Sequence, residues 1–343
     1  MKRHGNLWPD ITSIETLREA HRLAKMGKSH YAAVKEVEKD VEGHLQKLRD
    51  DLINRRFTTG QYIIEDRMEG GKMRRLYKLP YYPDRIVQHA LMIVVGPIFR
   101  RSLIRDTFQS MPNRGTSDAR RRVQKMMKTD PQRYALKMDI RKYYPNVGNS
   151  LLKNTIRRKI KCKDTLWLMD DIIDSMTGIP IGNLTSQYLG NFFLYEFDWW
   201  VKQNLKCQYY YRYCDDMVLF CNDKHTLRRW RREIEAYLNS LHLEIKPNWQ
   251  VYDTEKQGVD FVGHVFKTSS TRLRKTIASR LLEHSDKVKS GHLSPKQSLD
   301  TFAAYKGWTM RCNAKLLWRS CVSKGVVKYC NNVYKSNPLG KRI

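Results

Sequence analysis

Hydrophobic and polar positions change their spacing along the chain, and the spacing predicts where helices and strands lie. Up to about residue 60, apolar positions such as Leu45, Leu48 and Leu52 recur at helical spacing among polar residues, which is typical of amphipathic helices. Short β-prone runs then flank Gly70-Gly71, which predicts a turn between two strands. An apolar stretch near 84–98 predicts a helix.

The pattern beyond residue 110 alternates between helical and strand periods. Thr116 or Ser117 is predicted to cap a basic helix that runs to about Lys128. Further elements are predicted as a strand at Tyr134–Met138 ending at Asp139, helices near 149–160, 164–176 and 184–203, a hairpin at 209–221, a helix near 224–241 and a strand near 258–266. From about residue 270, many Lys and Arg accompany Trp308 and Trp318, which is typical of a helical lobe that binds nucleic acid.

Two adjacent carboxylates interrupt the predicted hairpin at its tip. Asp215 and Asp216 stand between the runs Tyr209–Arg212 and Met217–Phe220, and Asp139 ends another predicted strand. Asp is a favoured turn residue, and this is the simpler explanation of an isolated Asp-Asp pair. Two strands that end in carboxylates can, however, converge at one point of a sheet. The three residues together therefore predict a site for Mg²⁺ and for phosphoryl transfer.

Composition points to a polyanionic partner. The chain of 343 residues has 64 Lys and Arg against 35 Asp and Glu, a formal net charge of +29. Such a surplus favours nucleic acid, because each neutralised phosphate releases counterions. An anionic membrane surface is the competing partner, but the basic residues are spread along the chain and interleaved with Tyr and Trp, which favours a groove.

Neither a membrane segment nor a zinc site is expected. No apolar run approaches the roughly 18 residues of a membrane helix, and the N-terminus lacks the apolar segment of a signal peptide, so we expect a cytoplasmic protein. The 7 cysteines are odd in number and include no Cys-x-x-Cys pair, which argues against zinc.

Ordered blocks of this chain resemble those of reverse transcriptases, over about 60 to 268 with a continuation to the end. The blocks are Arg74-Arg75-Leu76 through Pro83-Asp84-Arg85-Ile86-Val87-Gln88-His89-Ala90-Leu91, then Asp139-Ile140-Arg141-Lys142-Tyr143-Tyr144-Pro145, then Tyr213-Cys214-Asp215-Asp216, which matches the family's Tyr-x-Asp-Asp. The resemblance implies an α+β right-hand polymerase fold with fingers, an antiparallel-sheet palm and a helical thumb. The implied domains are an N-terminal helical extension at 1–60, fingers and palm at 61–268 with palm strands near 134–140, 207–221 and 258–266, and a basic helical thumb at 269–343.

The resemblance also implies roles for the acidic residues and their neighbours. Asp139 and Asp215 are the expected principal ligands of two Mg²⁺ ions, with Mn²⁺ as a substitute, and Asp216 and Ile140 complete the site. Tyr144 matches the bulky residue beneath the sugar, where an aromatic ring would collide with a ribose 2′-OH; the alternative is an ordinary core aromatic.

Four basic residues and one hairpin have roles by the same resemblance. Lys72, Arg74 and Arg75 match the fingers region that contacts the incoming triphosphate, although each is equally typical of a solvated surface charge. Lys246 resembles the lysine that protonates the pyrophosphate leaving group, with a surface lysine as the alternative. The residues that resemble the primer grip, for which a plain buried strand is the alternative, are Phe261, Val262 and Gly263.

The segment Gly178–Gln187 distinguishes between groups of reverse transcriptases. Group II intron enzymes usually show Pro-Gln-Gly followed by Ser-Pro, whereas this chain has Ile181 in place of that Gln, and Gln187 after Ser186. This pattern resembles the enzymes of diversity-generating retroelements, and Ile181 and Gln187 are expected near the incoming nucleotide. Loss of the Gln amide would weaken the discrimination between right and wrong base pairs.

The resemblance to that subfamily implies a substrate, a product and a partner. Such an enzyme uses dNTPs and a primer to copy a template-repeat RNA into cDNA, with errors at template adenines, for targeted mutagenesis of a variable gene. Its implied partner is a small basic accessory protein that forms a barrel-shaped oligomer. The alternatives are a retron, abortive-infection or group II intron-like reverse transcriptase, and a catalytically silent RNA-binding scaffold, against which the three acidic positions argue.

Overall fold

The computed structural model describes residues 3–69, 71–292 and 295–322, without the side chains of residues 69, 72, 295–298 and 300. The described residues form two compact units. The first combines the residues up to Arg105 with Ile140–Asn204 and Ile234–Ile245. The second combines Asp106–Asp139, Leu205–Glu233 and the residues from Lys246 onward. The predicted thumb is thus described only as far as residue 322.

The described residues contain both helices and strands. In chain order they are α1 Trp8–Ile11, α2 Ile14–Ala24, α3 Ala32–Lys39, α4 Val41–Ile53, β1 Ile63–Glu69, β2 Lys72–Lys78, one π-helical turn at Tyr81–Arg85, α5 Ile86–Ser102, β3 Thr107–Phe108, α6 Thr116–Thr129, β4 Tyr134–Asp139, α7 Tyr143–Asn146, α8 Asn149–Arg157, α9 Lys163–Asp174, α10 Leu184–Phe193, α11 Tyr195–Gln203, β5 Tyr209–Tyr213, β6 Asp216–Cys221, α12 Lys224–Ser240, β7 Gln250–Asp253, α13 Thr254–Gln257, β8 Val259–Phe261, β9 His264–Phe266, β10 Thr271–Leu273, α14 Lys275–Lys289, α15 Pro295–Thr309 and α16 Lys315–Cys321.

The first unit is built on amphipathic helices and one apolar helix. In α2 the buried residues Leu17, Ala20 and Ala24 recur at helical spacing, and Ser13 caps the helix by accepting a hydrogen bond from the Thr16 amide at 3.1 Å. Helix α5 is apolar on most of its surface and is correspondingly buried on several sides.

The β1–β2 hairpin of the first unit is exposed on both faces. Its strands pair antiparallel with Asp66 opposite Arg75 and Met68 opposite Met73. Both methionines are more than 60% exposed. The two strands form a separate two-stranded sheet, so the hairpin has no strand neighbour that would cover its edges.

The second unit contains a five-stranded sheet in the order β3-β5-β6-β4-β7. All neighbours are antiparallel except β3 and β5. Helix α6 covers one face, because its apolar residues recur at i, i+4, i+7 and i+8 and pack on the inward side chains of the strands. These core residues include Ala119, Val123, Met126 and Met127 from α6, and Ala135, Tyr211, Val218 and Phe220 from the strands.

A smaller sheet and three helices complete the second unit. The sheet has three strands in the order β10-β9-β8, and Phe261 and Phe266 join the same core as α6. Helices α14, α15 and α16 share a separate core around Leu281, Phe302 and Trp318. Between residues 275 and 321, the described elements are these three helices.

The structure corrects three of the sequence-based predictions and adds three short strands. Neither Thr116 nor Ser117 caps α6, because the helix already begins at Thr116 and its N-cap is Gly115, which has no side chain. The predicted strand near 258–266 is two strands with a turn between them, and the predicted helix at 184–203 is interrupted at Leu194. Strands β3, β7 and β10 were not predicted, because two to four residues are too short to show an alternating pattern. Among the described helices, none is both long and apolar enough to cross a membrane.

Candidate catalytic carboxylates and their surroundings

Strand pairing in the second unit brings the predicted carboxylates together. Asp139 is the last residue of β4 and Asp216 is the first of β6, and the two are direct cross-strand partners. Directly opposed residues of an antiparallel pair have Cβ atoms about 5 Å apart and point to the same face. Asp215 precedes Asp216 at the tip of the β5–β6 hairpin.

The tip of this hairpin is held by a buried arginine. Cys214 adopts a positive φ of 57°, which turns the chain between the two strands. The fully buried Arg212 donates from Nη1 to the Cys214 carbonyl at 2.8 Å. The turn that presents Asp215 is therefore anchored from inside the unit rather than left as an exposed loop.

Two lysines contact the carboxylates. Lys246 Nζ contacts Asp139 Oδ1, and the Lys246 amide donates to the Asp139 carbonyl at 2.8 Å. Lys137, which lies two residues before Asp139 and so on the same face of β4, places Nζ 3.5 Å from Asp216 Oδ2. The same ammonium group donates to the carbonyl of Asp260 on β8. Lysine side chains thus supply positive charge beside the acidic residues.

Burial raises the affinity of these carboxyls for protons or cations. It raises the pKa of Asp216 to about 7, with further increases from Asp139 and Asp215, while Lys137 and Arg274 oppose the shift. Burial and the neighbouring Asp139 charge also raise the pKa of Asp215. A carboxylate that is costly to ionise in its surroundings gains more from a bound cation.

The chemistry of the carboxylates fits a hard cation. Asp216 Oδ1 is buried and has no hydrogen-bond partner among the described residues. Carboxylate oxygens are the ligands that Mg²⁺ prefers, and an unpaired buried oxygen is costly unless a cation or donor reaches it. Within the described ranges, no three His, Cys, Asp or Glu side chains are arranged as a ready-made metal cluster, and the contacts of Asp139 and Asp216 go to lysines instead. Ile140, the remaining predicted ligand, is a fully buried residue that offers only its backbone.

The predicted triphosphate contacts lie on the exposed β1–β2 hairpin of the first unit. The Arg75 guanidinium donates from Nε to Asp66 Oδ1 at 3.0 Å. Arg74 lies opposite Arg67 across the strand pair and faces the other side of the hairpin. The Lys72 side chain lies outside the described residues.

Tyr144 and the segment Gly178–Gln187 are joined within the first unit. The Ile179 amide donates to the Tyr144 carbonyl at 2.9 Å, which ties this segment to α7. The half-buried Tyr144 ring packs against Gly190 of α10, where an added Cβ would lie 2.9 Å from Cε1 of the ring. A larger residue at position 190 would therefore displace the ring.

Ile181 is fixed to the β1–β2 hairpin through its backbone. Its carbonyl accepts a hydrogen bond from the Tyr77 amide at 2.8 Å. Asn183 Nδ2 donates to the Tyr77 carbonyl at 3.1 Å, and Ser186 Oγ donates to the Pro180 carbonyl at 2.5 Å. Gln187 is exposed on α10. The backbone at 181 is thus set by contacts that do not involve its side chain.

The predicted primer-grip residues form the turn of the β8–β9 hairpin. Val262 and Gly263 both have positive φ, 44° and 77°, an unusual conformation for the β-branched valine. Phe261 is fully buried in the sheet core. Trp308 of α15 covers Gly263 so closely that an added Cβ would lie 2.3 Å from Cζ3 of the indole. Only glycine fits between this turn and the helix.

Lys137 and Arg212 were missed by the sequence reasoning. The signal for Lys137 was its position two residues before Asp139, which places both side chains on one face of a strand. The signal for Arg212 was a charged residue inside an aromatic strand, next to the acidic tip. A buried charge requires a partner, and here the partner is the turn carbonyl.

Comparison with known proteins gives matches over much of the chain. The model of the family described as reverse transcriptase (RNA-dependent DNA polymerase) matches residues 67–266. Protein YkfC of Escherichia coli (strain K12) is 29% identical over 213 residues, which cover 55% of this chain and 55% of YkfC. The match thus spans about half the length of that relative. A solved structure of apo telomerase from Candida tropicalis, truncated from its C-terminal domain, shares 12% identity at a TM-score of 0.45 and covers 64% of this chain and 55% of that one. The last likeness is too distant to support an inference.

Proposed function

This chain belongs to the reverse transcriptase family, and from that premise we propose that it is an RNA-directed DNA polymerase of the diversity-generating retroelement type. The observation that carries the polymerase assignment is the register of β4 and β6. It sets Asp139 opposite Asp216, with Asp215 adjacent at a partly buried hairpin tip. In this proposal the chain extends a DNA primer on an RNA template by transferring nucleotidyl groups from dNTPs.

The carboxylates of the second unit would hold the catalytic cations. Asp139, Asp215 and Asp216, with the backbone of Ile140, would bind two Mg²⁺ ions, for which Mn²⁺ can substitute. When bound, such ions activate the attacking hydroxyl and stabilise the leaving oxygen. The unpaired Asp216 Oδ1 and the raised pKa values of Asp215 and Asp216 support this assignment, because both describe carboxyls that gain from a cation.

Lys246 is proposed to protonate the pyrophosphate leaving group. Its ammonium group contacts Asp139, and the hydrogen bond from the Lys246 amide to the Asp139 carbonyl keeps the two residues adjacent. A protonated lysine at this position can donate a proton to departing pyrophosphate. Lys137 is proposed to position Asp216, since it bridges that carboxylate and the Asp260 carbonyl.

The first unit would select the nucleotide. Arg74 and Arg75, together with Lys72, would contact the triphosphate from the exposed hairpin, where guanidinium groups offer bidentate phosphate geometry. Tyr144 would exclude a ribose 2′-OH, and its ring is kept in place by the close approach to Gly190. Phe261, Val262 and Gly263 of the second unit would hold the primer.

Primer extension tests the polymerase assignment. Asp215→Ala is expected to abolish Mg²⁺-dependent extension of a DNA primer on RNA, because it removes a cation ligand without changing the basic surface. Binding of the same RNA should remain, since it depends on the net charge of +29 rather than on one carboxylate. Extension that survives in Asp215→Ala would overturn the site assignment, and a wild-type chain that binds RNA without extension would favour the scaffold alternative.

The error-prone role in a retroelement is proposed from position 181. Hydrogen bonds of Tyr77 with the Ile181 carbonyl and the Asn183 side chain hold the backbone there. A change of the side chain at 181 would therefore alter the surface that contacts the incoming nucleotide without moving the segment. We expect Ile181→Gln to raise fidelity opposite template adenine, by restoring a polar contact that a wrong pair cannot satisfy. Sequencing of cDNA made on the neighbouring noncoding RNA measures this, with Ile181→Leu as the apolar control.

The outcomes of the fidelity experiment separate the subfamilies. Adenine-specific errors in wild-type cDNA that fall in Ile181→Gln but persist in Ile181→Leu support the proposal. Accurate wild-type cDNA would instead favour a retron, abortive-infection or group II intron-like enzyme. The accessory oligomer is proposed as a partner by similarity alone, and a pull-down with a small basic protein encoded nearby would test it.

A further inference from the structure

A pocket of about 240 Å³ lies in the second unit, and none of the three candidate catalytic carboxylates lines it. It is bounded by the N-terminus of α6, the small residues of α15 and the β8–β9 hairpin. We call it the α6 pocket. The residues whose polar groups line it are Thr116, Ser117, Arg120, His264 and Arg311.

The α6 end of the pocket is an uncapped helix N-terminus. Helix α6 has 14 residues, and no side chain caps it, because the N-cap is Gly115. The first backbone bonds of the helix run from the Asp118 and Ala119 amides to the Gly115 carbonyl. The amides at the start of a helix lack intrahelical acceptors and carry the positive end of the helix dipole. Thr116 and Ser117 add hydroxyl groups at the same place.

His264 supplies an independent sign of a ligand. The residue is 3% exposed, and Nε2 is buried with no hydrogen-bond partner among the described residues. Its Nδ1 lies 3.1 Å from the Val262 carbonyl. Because a carbonyl only accepts, Nδ1 carries the proton, and Nε2 is the ring nitrogen left for a ligand in the pocket. A buried nitrogen without a protein partner needs a bound group or a water molecule to satisfy it.

Three arginines approach His264 from the elements packed around it, and one of them, Arg274, is paired with the Asp260 carboxylate of β8. Arg120 comes from α6, Arg274 precedes α14 and Arg311 follows α15. Burial lowers the pKa of the His264 imidazole, the backbone groups of Val262 and Trp308 oppose this shift, and the Arg120 and Arg274 cations add to it. An anion would offset this repulsion and favour the protonated ring, whose Nε2 then donates.

Arg120 is oriented towards the pocket and keeps a free donor. Its Nη1 donates to Gln124 Oε1 at 2.8 Å and to the Arg311 carbonyl at 3.0 Å. Its Nε is buried and unpartnered among the described residues. The nearby Asp118 carboxylate contacts Arg121 instead, and no acidic residue is among those lining the pocket.

We propose that the α6 pocket binds a phosphate group, and that in the working protein this group is a backbone phosphodiester of bound nucleic acid. Helix amides, hydroxyls and arginine around one cavity are the donors that phosphate oxygens require. The volume of the pocket is several times the roughly 30 Å³ that a water molecule occupies, so a phosphate group fits. The backbone source rests on the proposed function, since a polymerase holds nucleic acid beside the β8–β9 turn.

Matched variants test the pocket without polymerisation. Arg120→Gln removes one donor, and Gly307→Leu fills the pocket while leaving every charge in place. Gly307 lines the pocket, and a Cβ there meets no heavy atom within 4 Å, so the added side chain begins in open space on a helix. Lys128→Gln, an exposed residue at the far end of α6, is the control for loss of one charge. Thermal unfolding checks that each variant folds.

Binding of an RNA–DNA duplex is measured over a range of salt, without dNTPs or divalent ions. Both pocket variants are expected to bind about tenfold more weakly. The dependence of log Kd on log salt should become less steep by about one for Arg120→Gln. Lys128→Gln should retain the wild-type values. In a second arm, inorganic phosphate is titrated into the free protein while the His264 imidazole is followed by NMR, and its resonances should shift.

The outcomes separate the two sources of phosphate. A His264 shift with unchanged duplex binding in both pocket variants would overturn the backbone source and assign the pocket to free phosphate. No shift and no change in binding would overturn the pocket altogether, as would an equal loss in Lys128→Gln. Failure of primer extension would not affect these results, because neither arm involves catalysis.

Discussion

Two hairpins of this chain place carboxylates on paired strands, β1–β2 in the first unit and β5–β6 in the second. On β1–β2 the two carboxylates whose side chains are described are exposed, and each has a basic partner on the opposite strand, Asp66 with Arg75 and Glu65 with Lys78. On β5–β6 the strands are covered by neighbours on both sides. There Asp216 Oδ2 lies 3.5 Å from Lys137 Nζ, and Asp216 Oδ1 has no hydrogen-bond partner among the described residues.

The difference shows that burial, rather than the residue type, makes a carboxylate reactive. At the surface, water screens the charge, and an opposite charge across the strands satisfies it at little cost. Inside a sheet the ionised form is destabilised, so the carboxyl binds a proton or a cation more strongly. The raised pKa values of Asp215 and Asp216 and the lowered pKa of Asp66, which its hydrogen bond to Arg75 causes, follow this contrast.

The largest expected effect comes from the same substitution in the two hairpins. Asp216→Asn is expected to lower the rate of primer extension by about 10³-fold or more, because loss of a cation ligand removes several kcal/mol of transition-state stabilisation. Asp66→Asn should change the rate by less than about threefold, since an exposed pair contributes little. Similar losses in both variants would show that burial does not distinguish these hairpins.

The elements that carry the carboxylates of the second unit were predicted from the sequence. The strand ending at Asp139 and the hairpin around Asp215 were predicted from β-prone runs and turn residues, and the structure confirms both elements. The α+β polymerase fold class is confirmed by the family match over 67–266. The roles of the site residues remain predictions, and so does the retroelement type.

The partners of the carboxylates could not be predicted. The contact of Lys137 with Asp216 depends on the register of β4 against β6, and a pattern of apolar residues does not fix register across distant segments. The α6 pocket depends on the approach of α15 to the β8–β9 turn, which joins residues that are far apart in the chain. Such contacts arise from packing and leave no periodic signal.

A third hairpin tip extends the comparison to backbone geometry. Gly263 and Gly291 have nearly the same φ, 77° and 79°, but Trp308 covers Gly263 while a Cβ on Gly291 would meet nothing within 4 Å. Gly291→Ala is expected to lower the free energy of unfolding by about 1 kcal/mol from backbone strain alone. Gly263→Ala should lower it by about 2–4 kcal/mol, because overlap with the indole adds to that strain.

Denaturant unfolding measures both glycine variants against the wild type. The difference between them estimates the steric contribution, because the two glycines have nearly the same positive φ. Equal losses would mean that Trp308 moves aside without cost and that the turn is not held by α15. A larger loss at Gly263 would support a rigid tip, as a primer-holding turn requires.

The smallest expected effect concerns the exposed ion pair of the β1–β2 hairpin. Glu65 contacts Lys78 diagonally across the strands, and both side chains are close to half exposed. In a double-mutant cycle with Glu65→Gln and Lys78→Gln, the non-additive part of the change in melting temperature should stay below about 2 °C. It should vanish at molar salt, where the Debye length falls to about 3 Å. A coupling that persists at high salt would mean that these charges are shielded from water. Burial would then no longer distinguish the β1–β2 hairpin from the β5–β6 hairpin, which carries Asp215 and Asp216.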